Sequence, residues 1–276
     1  MTSGRNAGSE GGPGSRLSIV TLTSDFGTSD GYVASMKGVL LSLSPDSRLI
    51  DISHDVPPHE ILPTALIIEA TVPYFPPGTV HLVVVDPGVG SARRALAVAA
   101  RGHYFVGPDN GVFTPFLAED ESADVVIIEE ERFRLKPYSS TFHGRDLFAP
   151  AAAHIARGAD YRALGPSFDG AVKFPWPRPE LSDDKLVGTV LHVDHFGNCI
   201  TSIRESDLPG GWETYYVNGG EVEFGPLRRH YAEVVSGAPL ALVNSMGRIE
   251  LAIAQGNAAV ALGIGTGDRV VVARYK

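Results

Sequence analysis

Asp86, Arg93 and His143 are the residues whose types and spacing could do chemistry together. Asp86 closes the apolar run VHLVVV and opens the turn DPGVGSARR, which sets Arg93 seven residues beyond the carboxylate. A Val-rich strand ending in Asp-Pro-Gly places its last side chain at the carboxyl edge of a sheet, where open α/β sheets bind ligands. The glycine-rich turn lets Asp86 and Arg93 face each other, and the stretch TFHGRD offers His143 to the same rim. A carboxylate, a guanidinium and an imidazole form a kit for handling a small nucleophile such as water.

Other polar positions divide between chemistry and plain structure. Asp25 ends the first apolar run and shares the Asp86 rim. A carboxylate there can accept both hydroxyls of a ribose, or it can bond its own turn. Gly88-Val89-Gly90 lacks a third glycine and leads into the strand pattern ALAVAA, so it fails as a dinucleotide loop. Asp25-Phe26-Gly27 has no phosphate loop beside it, which excludes a kinase. His54, Asp55, His59 and Glu60, with Asp25, Asp86 and His143, offer oxygen and nitrogen to a divalent ion. No HxH or HExxH spacing presents two of them from one rigid element, so neither a metal nor a cofactor is expected. Asp194 to Asn198 lies between two strand patterns. It is either a hairpin turn or a loop offering a carboxylate, an aromatic face and an amide. Asn244 to Gly247 and Gln255 to Ala259 are small-residue loops whose backbone could approach a flat ring.

These residues need a scaffold of alternating elements. The pattern predicts a strand over Leu17–Thr23 and a helix from an Asp30 cap to Leu43, stopped by Pro45. A strand over Arg48–Ile52, a helix over Ile61–Thr71 and the Asp86 strand follow. Such alternation implies an α/β domain with a largely parallel sheet. Ala95–Ala100 and Tyr104–Val106 read as a hairpin turning at Arg101-Gly102, and Gly144–Ala156 as a helix. The prolines of FPWPRP bar regular structure near Phe174 to Pro179. Beyond them, short strands are expected at Val187–Asp194, Ile200–Ile203, Glu213–Val217, Glu221–Phe224, Leu240–Val243, Ile249–Ala252 and Asp268–Ala273, a small barrel or sandwich. The expected division is a disordered tail over 1–16, an α/β domain over 17–170, a linker over 171–185 and an all-β domain over 186–276.

The chain has 276 residues, 43% hydrophobic and 20% charged, as in ordinary globular proteins. A net charge of -9 argues against nucleic acid, and the pairs Arg93-Arg94 and Arg228-Arg229 make no basic stripe. The single cysteine, Cys199, excludes an internal disulfide and reads as a small buried hydrophobe. No apolar run approaches the roughly 20 residues that span a bilayer. The opening segment lacks the apolar core of a signal peptide, so a cytoplasmic location without membrane partners is expected.

Taken in order, TSDFGTSDGYVASMKG, VVVDPGVGSARR, GPDNG, STFHGRD, HVDHFGNCITSI, NSMGRIELA and QGNAA resemble the S-adenosyl-L-methionine (SAM) hydrolases, or SAM hydroxide adenosyltransferases, relatives of the fluorinase and chlorinase. The resemblance runs from about Ile19 to Val272. Each motif is weak alone, whereas seven in the family's order are specific. It implies an N-terminal α/β domain, a C-terminal β-barrel and a homotrimer with ligand sites between adjacent subunits. The implied reaction is displacement by water at the ribose C5′ of SAM, giving adenosine and L-methionine.

Carried over, Asp25 holds the ribose hydroxyls, Asp194 meets the methionine ammonium and Ser245 its carboxylate. Asn198 and the backbone near Ala258 read adenine, with Phe196 and Tyr231 packing on the ring. Asp86, Arg93 and His143 match the hydrolases' water-handling triad, and which of them takes the proton is not legible here. The halogenases carry Tyr and Tyr-Ser at the positions of Asp86 and His143-Gly144, which argues against halide use. Met246 stands where the halogenases have arginine, leaving the substrate carboxylate to Ser245 and backbone. The rival readings are a halide-using relative, a SAM- or adenosine-binding module without turnover, and a metal-dependent hydrolase.

Overall fold

In the computed structural model, which describes residues 18–118, 120–182 and 184–274, the first apolar run forms β1 (Ile19–Ser24). The expected tail over 1–16, and Leu17 at the expected start of the strand, lie outside the described residues. The chain clusters into two compact units, one of residues 18–64 with 71–173, the other of residues 65–70 with 174–274.

In the first unit, β1 joins β2 (Arg48–Ser53), β3 (Val80–Val84), β4 (Ala95–Ala100), β5 (His103–Pro108) and β6 (Asp124–Ile127) in one sheet. Its order is β2-β1-β3-β5-β4-β6. The first four of these run parallel, whereas β4 is antiparallel to both β5 and β6. The largely parallel sheet expected from the sequence is therefore limited to four strands, and the whole sheet is mixed. The cause is local. Arg101 and Gly102 join β4 to β5 with φ of 49° and 79°, the positive pair that a two-residue hairpin turn needs. Parallel neighbours would need a crossover of roughly a dozen residues.

Helix α1 (Tyr32–Leu43) buries Val33, Met36 and Leu40, spaced to line one face. It starts with Gly31 at its cap and no side-chain cap bond, so Asp30 does not cap it. Helix α2 (Ile61–Thr71) follows β2, and the short α3 (Thr114–Ala118) follows β5. The stretch expected as one helix from Gly144 begins as a π turn, Gly144–Phe148, and continues as α4 (Ala149–Ala156). The buried alanines of α4 pack with Met36, Leu40, Leu22, Leu82 and Val84. Each fully buried leucine in such a core contributes about 1.5–3 kcal/mol. This layer holds the ends of β1 and β3 rigid, and those ends carry the polar residues.

The second unit contains β7 (Glu180–Ser182), β8 (Lys185–Val193), β9 (Cys199–Arg204), β10 (Tyr215–Gly219), β11 (Val222–Arg228), β12 (Pro239–Val243), β13 (Arg248–Ile253), the short helix α5 (Ala258–Leu262) and β14 (Arg269–Arg274). Seven strands close into a barrel in the order β14-β10-β11-β12-β13-β9-β8, sealed by the β14–β8 pairing, and β7 adds to β8 from outside. Cys199, Ile203, Val217, Leu251, Val270 and Val272 fill its core. Burial pushes the Cys199 thiol up to about 11, so it behaves as a small hydrophobe.

Candidate active site

From β1 the chain crosses to β2 on one side, then returns to β3 on the other side of β1. Such a reversal opens a crevice beyond the carboxyl ends of the two central strands. Asp25 follows β1 and Asp86 follows β3 by two residues, and both line a cavity of about 320 Å³ there. Phe26, Tyr32 and Phe142 form one wall, their ring centroids 5.3 to 5.8 Å apart.

The turn after Asp86 folds back because two glycines allow it. A Cβ on Gly88 would sit 3.1 Å from Arg93 Cγ, and one on Gly90 (φ 77°) would sit 2.9 Å from the Ser140 carbonyl oxygen. Ser91 Oγ donates to the Gly88 carbonyl at 2.6 Å and accepts from Arg93 N–H at 3.2 Å. Arg93 thus reaches Asp86 with Nε 2.9 Å from Oδ1 and Nη2 2.5 Å from Oδ2. The pair is largely buried, with 11% and 6% of the two side chains exposed.

His143 completes the array from the start of the π turn, with Nδ1 2.6 Å from Arg93 Nη2. A guanidinium only donates, so Nδ1 is the acceptor and the proton resides on Nε2. Nε2–H then donates to Tyr138 Oη at 2.8 Å, and the two rings stack with centroids 5.1 Å apart. Burial, followed by the Arg93 cation, holds His143 below the ordinary histidine range, so its ring is neutral at pH 7. Burial raises the Tyr138 hydroxyl above the ordinary tyrosine value. Beside them, burial opposes ionisation of Asp146, but bonds from Arg145 and the Ser139 amide outweigh it and lower its pKa.

On the other rim, Asp25 Oδ2 accepts from the His59 amide at 3.0 Å. His54, Asp55, His59 and Glu60 do not converge. His54 bonds Ser24 and Asp51 instead, and among the described residues no group of three or more His, Cys, Asp or Glu is placed to hold a metal ion.

The remaining candidates lie on the second unit. Asp194 Oδ1 accepts from the amides of Phe196 (2.9 Å) and Asn198 (2.8 Å), and Oδ2 accepts from Asn198 Nδ2 at 3.1 Å. This carboxylate therefore shapes its own loop, which leaves Phe196 72% exposed at the tip. The Gly197 carbonyl accepts from Ala259 N–H at 3.0 Å, tying the loop to the start of α5, where Ala258 is buried. Tyr231 donates to Glu250 at 2.5 Å, and Asn244 Nδ2 donates to the other Glu250 oxygen at 3.2 Å. Ser245 and Met246 are exposed at the apex of the Asn244–Gly247 turn.

The sequence matches the SAM hydroxide adenosyltransferase N-terminal domain over residues 20–165 and the C-terminal domain over residues 188–271. The chain belongs to this family. The (R)-S-adenosyl-L-methionine hydrolase of Thermus thermophilus is 41% identical over 257 residues, 90% of this chain and 96% of the relative. The Salinispora tropica protein of the same name is 40% identical, covering 92% and 97%. A fluorinase from Actinoplanes stands further off at 28% identity, covering 85% of this chain and 90% of that one. Among solved structures, an uncharacterized conserved protein from Thermotoga maritima superposes with a TM-score of 0.86 at 34% identity, covering 93% of this chain and all of that one.

Two side chains of this family member escaped the sequence reading. Tyr138 sits in an irregular loop, and its tie to His143 is visible only in three dimensions. Glu250 had a signal, a lone charge inside the apolar run of β13. Burial raises its carboxyl above the ordinary value despite the bonds from Tyr231 and Asn244, and the Asp194 charge adds to the rise.

Proposed function

We propose that this protein hydrolyses SAM to adenosine and L-methionine by water displacement at the ribose C5′. The observation that carries the reading is the Asp86–Arg93–His143 array on the switch-point cavity. It occurs in a family whose relatives of 37 to 42% identity are named (R)-S-adenosyl-L-methionine hydrolases. Those names point to the R epimer at sulfur as the substrate.

Water attacks C5′ as the C–S bond breaks, and the sulfonium leaves as a neutral thioether that needs no general acid. The incoming water gives up one proton as its oxygen bonds C5′. Arg93 is permanently charged, and the lone pair on His143 Nδ1 is occupied by Arg93. Asp86 is therefore the member that orients the water and takes its proton, while Arg93 and the neutral His143 fix the carboxylate. Positioned acid–base help of this kind contributes about 10²- to 10⁴-fold, and alignment adds more.

In this reading Asp25 binds the ribose hydroxyls, Asp194 the ammonium and Ser245 the carboxylate of the methionine part. Asn198 and the Ala258 backbone read adenine between Phe196 and Tyr231. The reading carries with it a cytoplasmic homotrimer with sites between subunits, no metal or cofactor, and a domain linker over 171–185. The test is chelator-treated protein incubated with each sulfur epimer of SAM in ¹⁸O-water, with products weighed by mass spectrometry. Adenosine labelled at the 5′ oxygen, formed from the R epimer, supports the proposal. Intact SAM despite binding overturns it in favour of a binding module.

A further inference from the structure

Beneath Asp25 lies a second hydrogen-bonded chain that the reaction does not use. Lys37 Nζ lies 2.5 Å from Asp51 Oδ2, and Asp51 Oδ1 lies 3.0 Å from His54 Nε2. His54 Nδ1 in turn lies 2.7 Å from Ser24 Oγ. Serine, histidine and aspartate in this order are the residues of a hydrolase triad. Ser24 is fully buried and does not line the cavity, so it is no nucleophile.

The donors and acceptors of the chain have one consistent direction. The Asp51 carboxylate can only accept, which keeps the His54 proton on Nε2 and leaves Nδ1 as an acceptor. Ser24 O–H must then donate to Nδ1, turning its lone pairs toward the Phe26 amide 3.4 Å away. The His54 carbonyl accepts from the Gly27 amide at 2.8 Å. Asp25 is thus held from the residue before it and from the two after it. On the same loop, His59 adopts φ 68° while its amide donates to Asp25 Oδ2. A non-glycine residue at positive φ is uncommon and gathers at functional sites.

We propose that His54 is a positioning residue that fixes the aim of Asp25 at its ligand, with Asp51 setting the imidazole tautomer. The inference rests on Asp25 being the ribose ligand. Its readout is therefore the preference for SAM over the 2′-deoxyadenosyl analogue, measured as a ratio of kcat/KM values. A hydrogen bond from a substrate hydroxyl to a carboxylate makes that ratio about 10- to 100-fold in the unmodified protein.

His54→Phe is expected to lose most of this preference through KM, with kcat at saturation changing less. His54→Asn, whose amide oxygen can take the place of Nδ1, is expected to recover part of it. Asp51→Asn exchanges an oxygen for NH₂, reverses the tautomer and lowers the ratio even if His54→Phe does not fold. A general loss of stability would lower both substrates equally and leave the ratio unmoved. Preference abolished by Asp25→Asn but kept in His54→Phe and Asp51→Asn overturns the His54 inference alone. Preference kept in Asp25→Asn overturns the ribose reading itself, and the inference with it.

Discussion

Removing Arg93 should strand the Asp86 carboxylate. Arg93→Ala deletes the donors 2.9 Å from Oδ1 and 2.5 Å from Oδ2 of a carboxylate that is 6% exposed in the intact protein. Breaking a buried pair from one side costs about 3–5 kcal/mol. The cavity admits water beside Asp86, so the lower end, about 3 kcal/mol, is expected. Asp86→Ala should cost less, because Arg93 keeps its bond to His143 and its place 5.1 Å from the Phe148 ring centroid. The double variant should be about as stable as Asp86→Ala, leaving a coupling equal to the Arg93→Ala cost, about 3 kcal/mol. Trp176 and Trp212 both lie in the second unit, so tryptophan fluorescence would miss the change. Hydrogen exchange of the β1 and β3 amides reads the first unit directly. Single losses that add to within about 0.5 kcal/mol in the double variant would refute the buried-pair reasoning.

Three more outcomes are expected. Because the folded His143 pKa lies below the unfolded 6.5, the unfolded chain binds its proton first as pH falls. The stability from a neutral His143 is complete above pH 6.5 and is lost below it, so His143→Gln should flatten the pH dependence of first-unit exchange there; an unchanged slope contradicts this. Tyr138→Phe keeps the ring stack but removes the acceptor of His143 Nε2–H, so kcat should fall about 3- to 10-fold at constant KM, as for one lost hydrogen bond. Steady-state kinetics with unaltered kcat would assign the hydroxyl no part. Gly197 has φ 85°, and a Cβ there would lie 2.1 Å from Asn257 Cγ, the side chain that caps α5. Gly197→Ala should cost the second unit about 1–3 kcal/mol and weaken adenosine binding, checked by denaturation followed at Trp212 and by calorimetry.

Where neighbours in sequence decide the geometry, the residues were legible. VHLVVV-Asp-Pro-Gly placed Asp86 at a strand end, and the glycines after it implied the return of Arg93. The residue type of His143 was readable, but its 2.6 Å contact crosses 50 residues and belongs to packing. Tyr138 was invisible for the same reason. β6 is only DVVI, too short for a pattern to stand out, yet it pairs antiparallel with β4 and extends the sheet beyond it. The loop at Asp194 allowed a turn or a ligand site, and its carboxylate bonds the loop's own amides. The Ser24–His54–Asp51 chain draws on β1, β2 and the residue after β2, and only the register of those strands aligns it.

One nitrogen of Arg93 serves two masters. Nη2 carries two hydrogens, and its neighbours Asp86 Oδ2 at 2.5 Å and His143 Nδ1 at 2.6 Å claim one each. That valence makes the local sequence landscape rugged. A lineage that exchanges one member alone passes through a protein with a stranded charge or an unmet lone pair. Replacement of this array is therefore favoured as a joint change, and variants altered at Asp86 or His143 alone should together lose more stability than the combined replacement does.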